Sequence, residues 1–273
     1  MRRIVNEKLE IRSVLYKTPN VLLIGGKRWS GKKSKTAFII CEGTSMSLDT
    51  GNIPRQWDPF LTNPNEKEYS YLDGDVINMY FPFECDGLQK AGEDLSTYIN
   101  VYMRDYETIA IIGHSKAGVC IANMARMLAR KMVLVFVSAP FNGTIMADPE
   151  RVGIRMNKLE NTFYKRFYKM HPVDLDVIPN SYFLRIANFS GIKSHICINV
   201  IAKCNRPLTM TDIFCQYVGS RMGYRESDGI VTVSSQKAIS LKFPTVDTLY
   251  LNASHANSLK RYMSIHREKY IIE

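Results

Sequence analysis

Ile109-Ala110-Ile111-Ile112-Gly113-His114-Ser115-Lys116-Ala117-Gly118 is the stretch on which the fold of this chain turns. Four apolar residues run into Gly113-His114-Ser115, and helix-forming residues continue from Lys116 to Lys131. The pattern reads as a buried strand, a sharp turn and a helix, with Ser115 at the turn. A serine in such a turn has strained backbone, and its side chain stands exposed above the sheet edge. Neighbouring backbone passes close, so the residues two before and two after it must be small. Gly113 and Ala117 hold those places, with Gly118 directly behind.

The chain on either side alternates strands with helices. Residues 1–20 read as an edge strand or an irregular lead-in ending at Pro19, and Asn20–Ile24 as a strand broken by Gly25-Gly26. The basic loop Lys27–Lys35 follows. Gly26–Lys32 nearly spells a phosphate-binding loop, but Lys33 stands where Ser or Thr would hold magnesium, and a strand, Thr36–Cys41, follows in place of a helix. Two strands joined by a basic loop are expected to form a hairpin. Asp75–Phe81 is another strand, and Leu88, Ala91, Leu95, Ile99 and Tyr102 recur at helical spacing over Leu88–Met103. Met132–Val137 is continuously apolar, as a parallel strand covered on both faces should be. Residues 145–192 break the rhythm. They are basic, aromatic and turn-rich, and read as an inserted cap or lid. Strands resume at Ser194–Ile201 and Thr245–Leu251, and Asn257–Ile272 is a closing helix. The class is α/β: a mostly parallel central sheet flanked by helices, one domain over 1–273, with the cap at about 145–192.

Composition narrows the class of protein further. A chain of 273 residues buries roughly three quarters of its unfolded surface and needs neither disulfide nor metal for stability. Six cysteines show no Cys-x-x-Cys pair, and Cys41, Cys120 and Cys197 sit in apolar runs, so reduced core thiols are expected. His195 with Cys197, Cys204 and Cys215 fits no standard metal spacing, and no metal or cofactor is expected. The N-terminus turns charged too soon for a secretion signal, and no apolar run approaches the about 20 residues that span a bilayer. A soluble, cytoplasmic protein is expected. The net charge of +10 favours anionic partners, a membrane surface among them, or marks a solvated face. No basic and aromatic module of a nucleic-acid binder is present, so nucleic acid is not an expected partner.

A serine hydroxyl is a poor nucleophile at neutral pH. It needs a base to take its proton, and an acid to hold that base in one tautomer. Asp228, in Tyr224–Val233, and His255, in Leu251–Asn257, lie in loops where a parallel sheet delivers residues to its carboxyl edge. Asp148, beyond the strand ending at Val137, is the rival acid. Among the other histidines, His171 lies in the cap region, His195 starts a strand and His266 is inside the last helix. His114 points away from Ser115 at such a turn and is expected to be structural.

Four segments now resemble a known family: Gly113-His114-Ser115-Lys116-Ala117, Ser138-Ala139-Pro140-Phe141-Asn142-Gly143-Thr144, Ser227-Asp228-Gly229-Ile230-Val231 and Ser254-His255. Together they are similar to the bacterial lipase/esterase branch of the α/β-hydrolase superfamily, over roughly residues 36–273. The resemblance implies that fold and a triad in the order Ser115, Asp228, His255. It implies an oxyanion hole from the backbone N–H groups of Thr44 and Lys116. It further implies ester hydrolysis through an acyl-enzyme, with a lipid or other hydrophobic acyl ester as the small-molecule substrate. Two departures stand out. Ala117 replaces the family's usual Gly, and Glu42-Gly43 stands where His-Gly is common. A thioesterase or an acyltransferase would use the same residues. The alternative from another class is a non-catalytic binding protein on this fold, contacting an anionic partner through Lys27–Lys35. The Lys116 side chain has two readings: it steers an anionic substrate, or it packs or points to solvent. In the cap region a helix over Asn161–Met170 would gather Phe163 and Phe167 into an aromatic stripe, either an acyl-chain or membrane-surface lid or a packing face.

Overall fold

The computed structural model describes residues 14–25, 34–46, 72–82, 84–158, 160, 172–207 and 209–265. Eight strands among them form one sheet: β1 Val14–Lys17, β2 Leu22–Gly25, β3 Thr36–Met46, β4 Asp75–Pro82, β5 Thr108–His114, β6 Val133–Val137, β7 Ile196–Ala202 and β8 Asp247–Leu251. Their order across the sheet is β1-β2-β4-β3-β5-β6-β7-β8. β1 with β2 and β2 with β4 run antiparallel, and every other pair is parallel. The helices are α1 Leu88–Tyr102, α2 Lys116–Met124, α3 Pro149–Arg155, α4 Tyr182–Ile186, α5 Met210–Arg221, α6 Val233–Lys242 and α7 His255–Ile265.

The period-2 alternation of the central strands assigns their two faces. Ile39, Ile111, Leu134 and Phe136 pack with α1 and α2 on one side. Phe38, Ile40, Ala110, Ile112, Val133 and Val135 pack with Leu259, Tyr262 and Met263 of α7 on the other. Both faces are covered, which is why these strands read as unbroken apolar runs. The edge strands β1 and β8 are only partly buried.

β2 and β3 do not form the expected hairpin. β4 lies between them, pairing antiparallel with β2 (Leu22 opposite Tyr80) and parallel with β3 (Ile39 opposite Ile77). All eight residues of β4 are buried, so it requires a neighbour on each side. β3 already pairs with β4 and β5 and has no free edge to offer β2. α2 also ends at Met124, short of Lys131, and continues as a 3-10 turn over Ala125–Met127. Its last carbonyls are met from outside: His195 Nε2 donates to Ala125 O at 2.9 Å, and Asn100 Nδ2 to Met127 O at 2.8 Å.

The described part of 145–192 is built of short helical pieces. Met146, Val152 and Met156 pack with Val218 of α5 and with Met222 just beyond its end. Val173, Val177, Phe183, Phe189 and Ile192 join the same core cluster as α1 and α2. Among the described residues no helix is long and apolar enough to cross a membrane.

Candidate active site

Ser115 is the residue between β5 and α2, with φ 55° and ψ −131°. That left-handed φ is unfavourable for a residue with a side chain and persists only where the surroundings enforce it. They do so through backbone. The Ser115 N–H donates to Val137 O at the end of β6, 2.9 Å, and Ser115 O accepts from Gly118 N–H, 2.9 Å. A Cβ on Gly113 would lie 2.3 Å from Ile121 Cδ1 and 2.8 Å from Gly118 N. A Cβ on Gly118 would lie 2.7 Å from Ala139 Cβ. The helix therefore rests on β5 and β6 at Gly118, and Ala117 fits within the core in place of the family's Gly.

The other two residues arrive from the far side of β6. Asp228 sits in the loop between α5 and α6, fully buried, and His255 is the first residue of α7. His255 Nε2 is 2.9 Å from Ser115 Oγ, and His255 Nδ1 is 2.8 Å from Asp228 Oδ2. The sequence therefore brought together three residues that do stand in contact: hydroxyl, imidazole and carboxylate in line. The second carboxylate oxygen, Oδ1, accepts from the N–H groups of Ile230 (3.0 Å) and Val231 (2.8 Å). The His255 N–H donates to Asp228 O at 2.8 Å, so backbone and side chain of the aspartate hold the same histidine.

No protein-family model matches the sequence, and no curated protein does. Solved structures do match. A lipase of Bacillus licheniformis in its mature form superposes with a TM-score of 0.57 at 12% identity, over 92% of this chain and 96% of that one. An esterase of Pyrococcus furiosus gives 0.52 at 13% identity, over 95% and 87%. An alpha-beta hydrolase of Vibrio vulnificus gives 0.50 at 11% identity, over 99% and 84%. This chain has the α/β-hydrolase fold. In that fold a serine at a strand–turn–helix corner of this kind forms what is termed an elbow, and the Ser115 turn has that geometry.

Two further residues pack against these three, and sequence reasoning did not assign one of them, Gln236. Gln236 of α6 is fully buried. Its Oε1 accepts from Ala202 N–H at 2.7 Å, and its Nε2 lies 3.0 Å from Ala202 O, 3.1 Å from Val231 O and 3.3 Å from Asp228 Oδ2. It joins the end of β7 to the aspartate loop. No local pattern marks a glutamine in mid-helix for this role. His114 donates from Nε2 to His255 O at 3.0 Å, and the two rings lie 4.8 Å apart. It braces His255 from behind, in keeping with a structural histidine.

Gly43, next to the departure at Glu42, lies against Ser115. A Cβ there would lie 2.6 Å from Ser115 Cβ and 2.9 Å from His114 O, so β3 passes directly against the elbow. Thr44 is the next residue of β3. Lys116 is the first residue of α2, where helix geometry leaves an N–H without an intrahelical acceptor. The Lys116 side chain packs: its Nζ lies 2.6 Å from Asp174 Oδ1, with both groups buried. The solvent-pointing reading is excluded. Asp148, the rival acid, caps α3 by accepting from the N–H groups of Glu150 and Arg151. His195 sits between Met132 N–H and Ala125 O. Phe163, Phe167, His171, His266, the loop residues 27–33 and most of the 145–192 aromatic stretch lie outside the described residues.

All six cysteines are buried and none is in a disulfide. Burial pushes the Cys85 thiol up to about 11 and those of Cys197 and Cys215 to about 12, with Cys120 raised further. Such thiols are not thiolates at neutral pH.

Proposed function

We propose that this chain is a serine hydrolase that cleaves carboxylic esters through an acyl-enzyme. The observation that carries the reading is the continuous contact from Ser115 Oγ through the His255 ring to Asp228 Oδ2, at 2.9 and 2.8 Å, on a serine held at left-handed φ. Asp228 accepts from Nδ1–H, which leaves Nε2 as the lone-pair nitrogen facing the hydroxyl. Ser115 Oγ attacks the ester carbonyl carbon as its proton passes to Nε2. The carbonyl oxygen becomes an oxyanion, for which the N–H groups of Thr44 and Lys116 are the donors. When the intermediate collapses, the C–O bond to the alcohol breaks and His255 returns the proton to that alcohol. Water then repeats the sequence, its proton going to His255 and its oxygen to the acyl carbon, and Ser115 regains its hydrogen as the acid departs.

The substrate in this reading is a hydrophobic acyl ester or lipid, and Phe163 and Phe167 of the cap are the candidate acyl contacts. The lipase and esterase neighbours share the fold and lend the reading support. Six buried cysteines, none of them in a disulfide, suit a reducing compartment such as the cytoplasm. The test is labelling with a fluorophosphonate alongside turnover of p-nitrophenyl esters of graded length. Wild type should label and turn over. Ser115→Ala should lose labelling and about 10⁴–10⁶ in kcat. A folded wild type that neither labels nor turns over any ester would leave a binding protein on a hydrolase fold.

A further inference from the structure

The residue after the nucleophile carries a buried ion pair whose partner comes from a distant segment. Lys116 is 3% exposed and Asp174 6% exposed, and their charged groups meet at 2.6 Å. The ammonium also lies 5.7 Å from the centre of the Phe81 ring at the end of β4. Lysine and aspartate are almost never buried unless paired, so each fixes the position of the other.

Asp174 belongs to the 3-10 turn Pro172–Val177, and that turn is anchored twice more. Two residues beyond Asp174, Asp176 Oδ2 accepts from Leu88 N–H, the first residue of α1, at 2.7 Å. Gly87 makes room for it: φ there is 120°, and a Cβ would sit 2.9 Å from Asp176 Oδ2. Val173 and Val177 lie on the turn's other side, in the core cluster with α1 and α2. One turn thus sends two carboxylates to the N-terminal residues of two helices, where negative charge is favoured. One of those residues bears the N–H that follows Ser115.

We propose that Asp174 is a positioning residue for the reaction at Ser115. Resting on the serine-hydrolase reading, the proposal is that Asp174 holds the Lys116 backbone through its side chain, and so aims the Lys116 N–H at the developing oxyanion. The donor's position matters steeply, since removal of one oxyanion donor costs about 10²–10³ in rate and small displacements a fraction of that. The pair also joins the 172–177 turn to the reacting centre. A disturbance of that turn reaches the nucleophile through one contact.

The experiment compares wild type, Lys116→Met, Asp174→Asn and the double variant Lys116→Met/Asp174→Leu. The readouts are fluorophosphonate labelling rate, kcat and KM for p-nitrophenyl butyrate per titrated serine, and Tm. Each single variant should slow labelling and lower kcat about 10–100-fold, with KM within about twofold. The double variant removes both charges, leaves none buried alone, and should recover rate relative to either single. If Asp174→Asn does not fold, Asp174→Glu carries the test: it keeps the charge, shifts it by one methylene, and should lower kcat more than it lowers Tm. Folded single variants that label at the wild-type rate would overturn the proposal. So would Asp174→Asn reacting faster than wild type while Lys116→Met is slow, which would assign the effect to the lysine charge itself. A wild type that does not label at all removes the underlying reading instead, so the two failures are distinct.

Discussion

Ser115 and the Asp228–His255 pair are held by different means. Ser115 is fixed by main chain: a left-handed φ, hydrogen bonds to Val137 O and from Gly118 N–H, and three glycines whose missing Cβ atoms admit neighbouring backbone. Asp228 and His255 are fixed largely by side chains: Gln236 on the carboxylate, His114 and Ser258 Oγ on the His255 carbonyl, and the Asp228 carboxylate on both His255 and its own loop. The first arrangement tolerates no added atom. The second tolerates atoms but not the loss of a donor or acceptor. Substitutions on the two sides should therefore fail differently, one by collision and the other by mis-set protons.

Asp228→Asn makes the sharpest contrast. The amide that replaces the carboxylate cannot hold the Nδ1 proton with a full charge, and its NH₂ group favours the tautomer with the proton on Nε2, facing Ser115. We expect kcat to fall by about 10³–10⁴ near pH 7 with little change in KM, since nothing in substrate contact is altered. The paired control is Asp148→Asn. That carboxylate accepts from Glu150 and Arg151 N–H and pairs with Arg151 at 3.1 Å, so kcat should be unchanged and only the α3 cap weakened, by a few tenths to about 1 kcal/mol. If kcat collapses in Asp148→Asn and survives in Asp228→Asn, the division between the two halves of the site is wrong.

Gly43→Ala tests the other half by collision. The new methyl would fall 2.6 Å from Ser115 Cβ and 2.9 Å from His114 O, both too short for any carbon contact. Neither neighbour is a flexible side-chain end, so backbone must move. The expected result is a loss of about 10² in kcat, as the elbow and the Thr44 N–H separate, with a cost of about 1–3 kcal/mol in stability. Steady-state kinetics with denaturant melts separates the two. Unchanged kcat in a destabilised protein would show that β3 can withdraw without disturbing the serine.

The same division explains what was legible in the sequence. The elbow is written in small residues at fixed offsets, because close backbone approach demands them, and Gly113, Ser115 and Gly118 could be read from the string. Ser115 and His255 could be placed because each follows directly on a strand, β5 or β8, that ends at one sheet edge, and Asp228 because its polar loop comes after the strand and helix between them. The β2–β3 adjacency was not: a strand pair and a crossover look alike locally, and only the burial of all eight β4 residues decides that it lies between them. Lys116 could not be placed either, since its partner Asp174 lies far along the chain and no spacing links the two. Gln236 was invisible for the same reason. A polar residue inside a helix reads as solvent-facing unless the fold is known, and only the folded chain brings it to Ala202, Val231 and Asp228.

Gln236→Met should give the smallest catalytic effect and the most informative one. Methionine keeps length and much of the volume but donates nothing. Ala202 N–H and O lose their partner at the end of β7, and an unsatisfied buried group costs about 1–3 kcal/mol. Asp228 keeps its two backbone donors on Oδ1, while Oδ2 is left with the His255 N–H. That oxygen then has one fewer group fixing its direction, and the imidazole it orients is less well aimed. We expect kcat to fall only about tenfold, with KM little changed. The measurement is kcat and KM of wild type and variant on one ester, with Tm taken in parallel. A lowered Tm with unchanged kcat would mean that Gln236 serves the sheet end alone, and that the carboxylate is held by its own loop, as Ser115 is held by its turn.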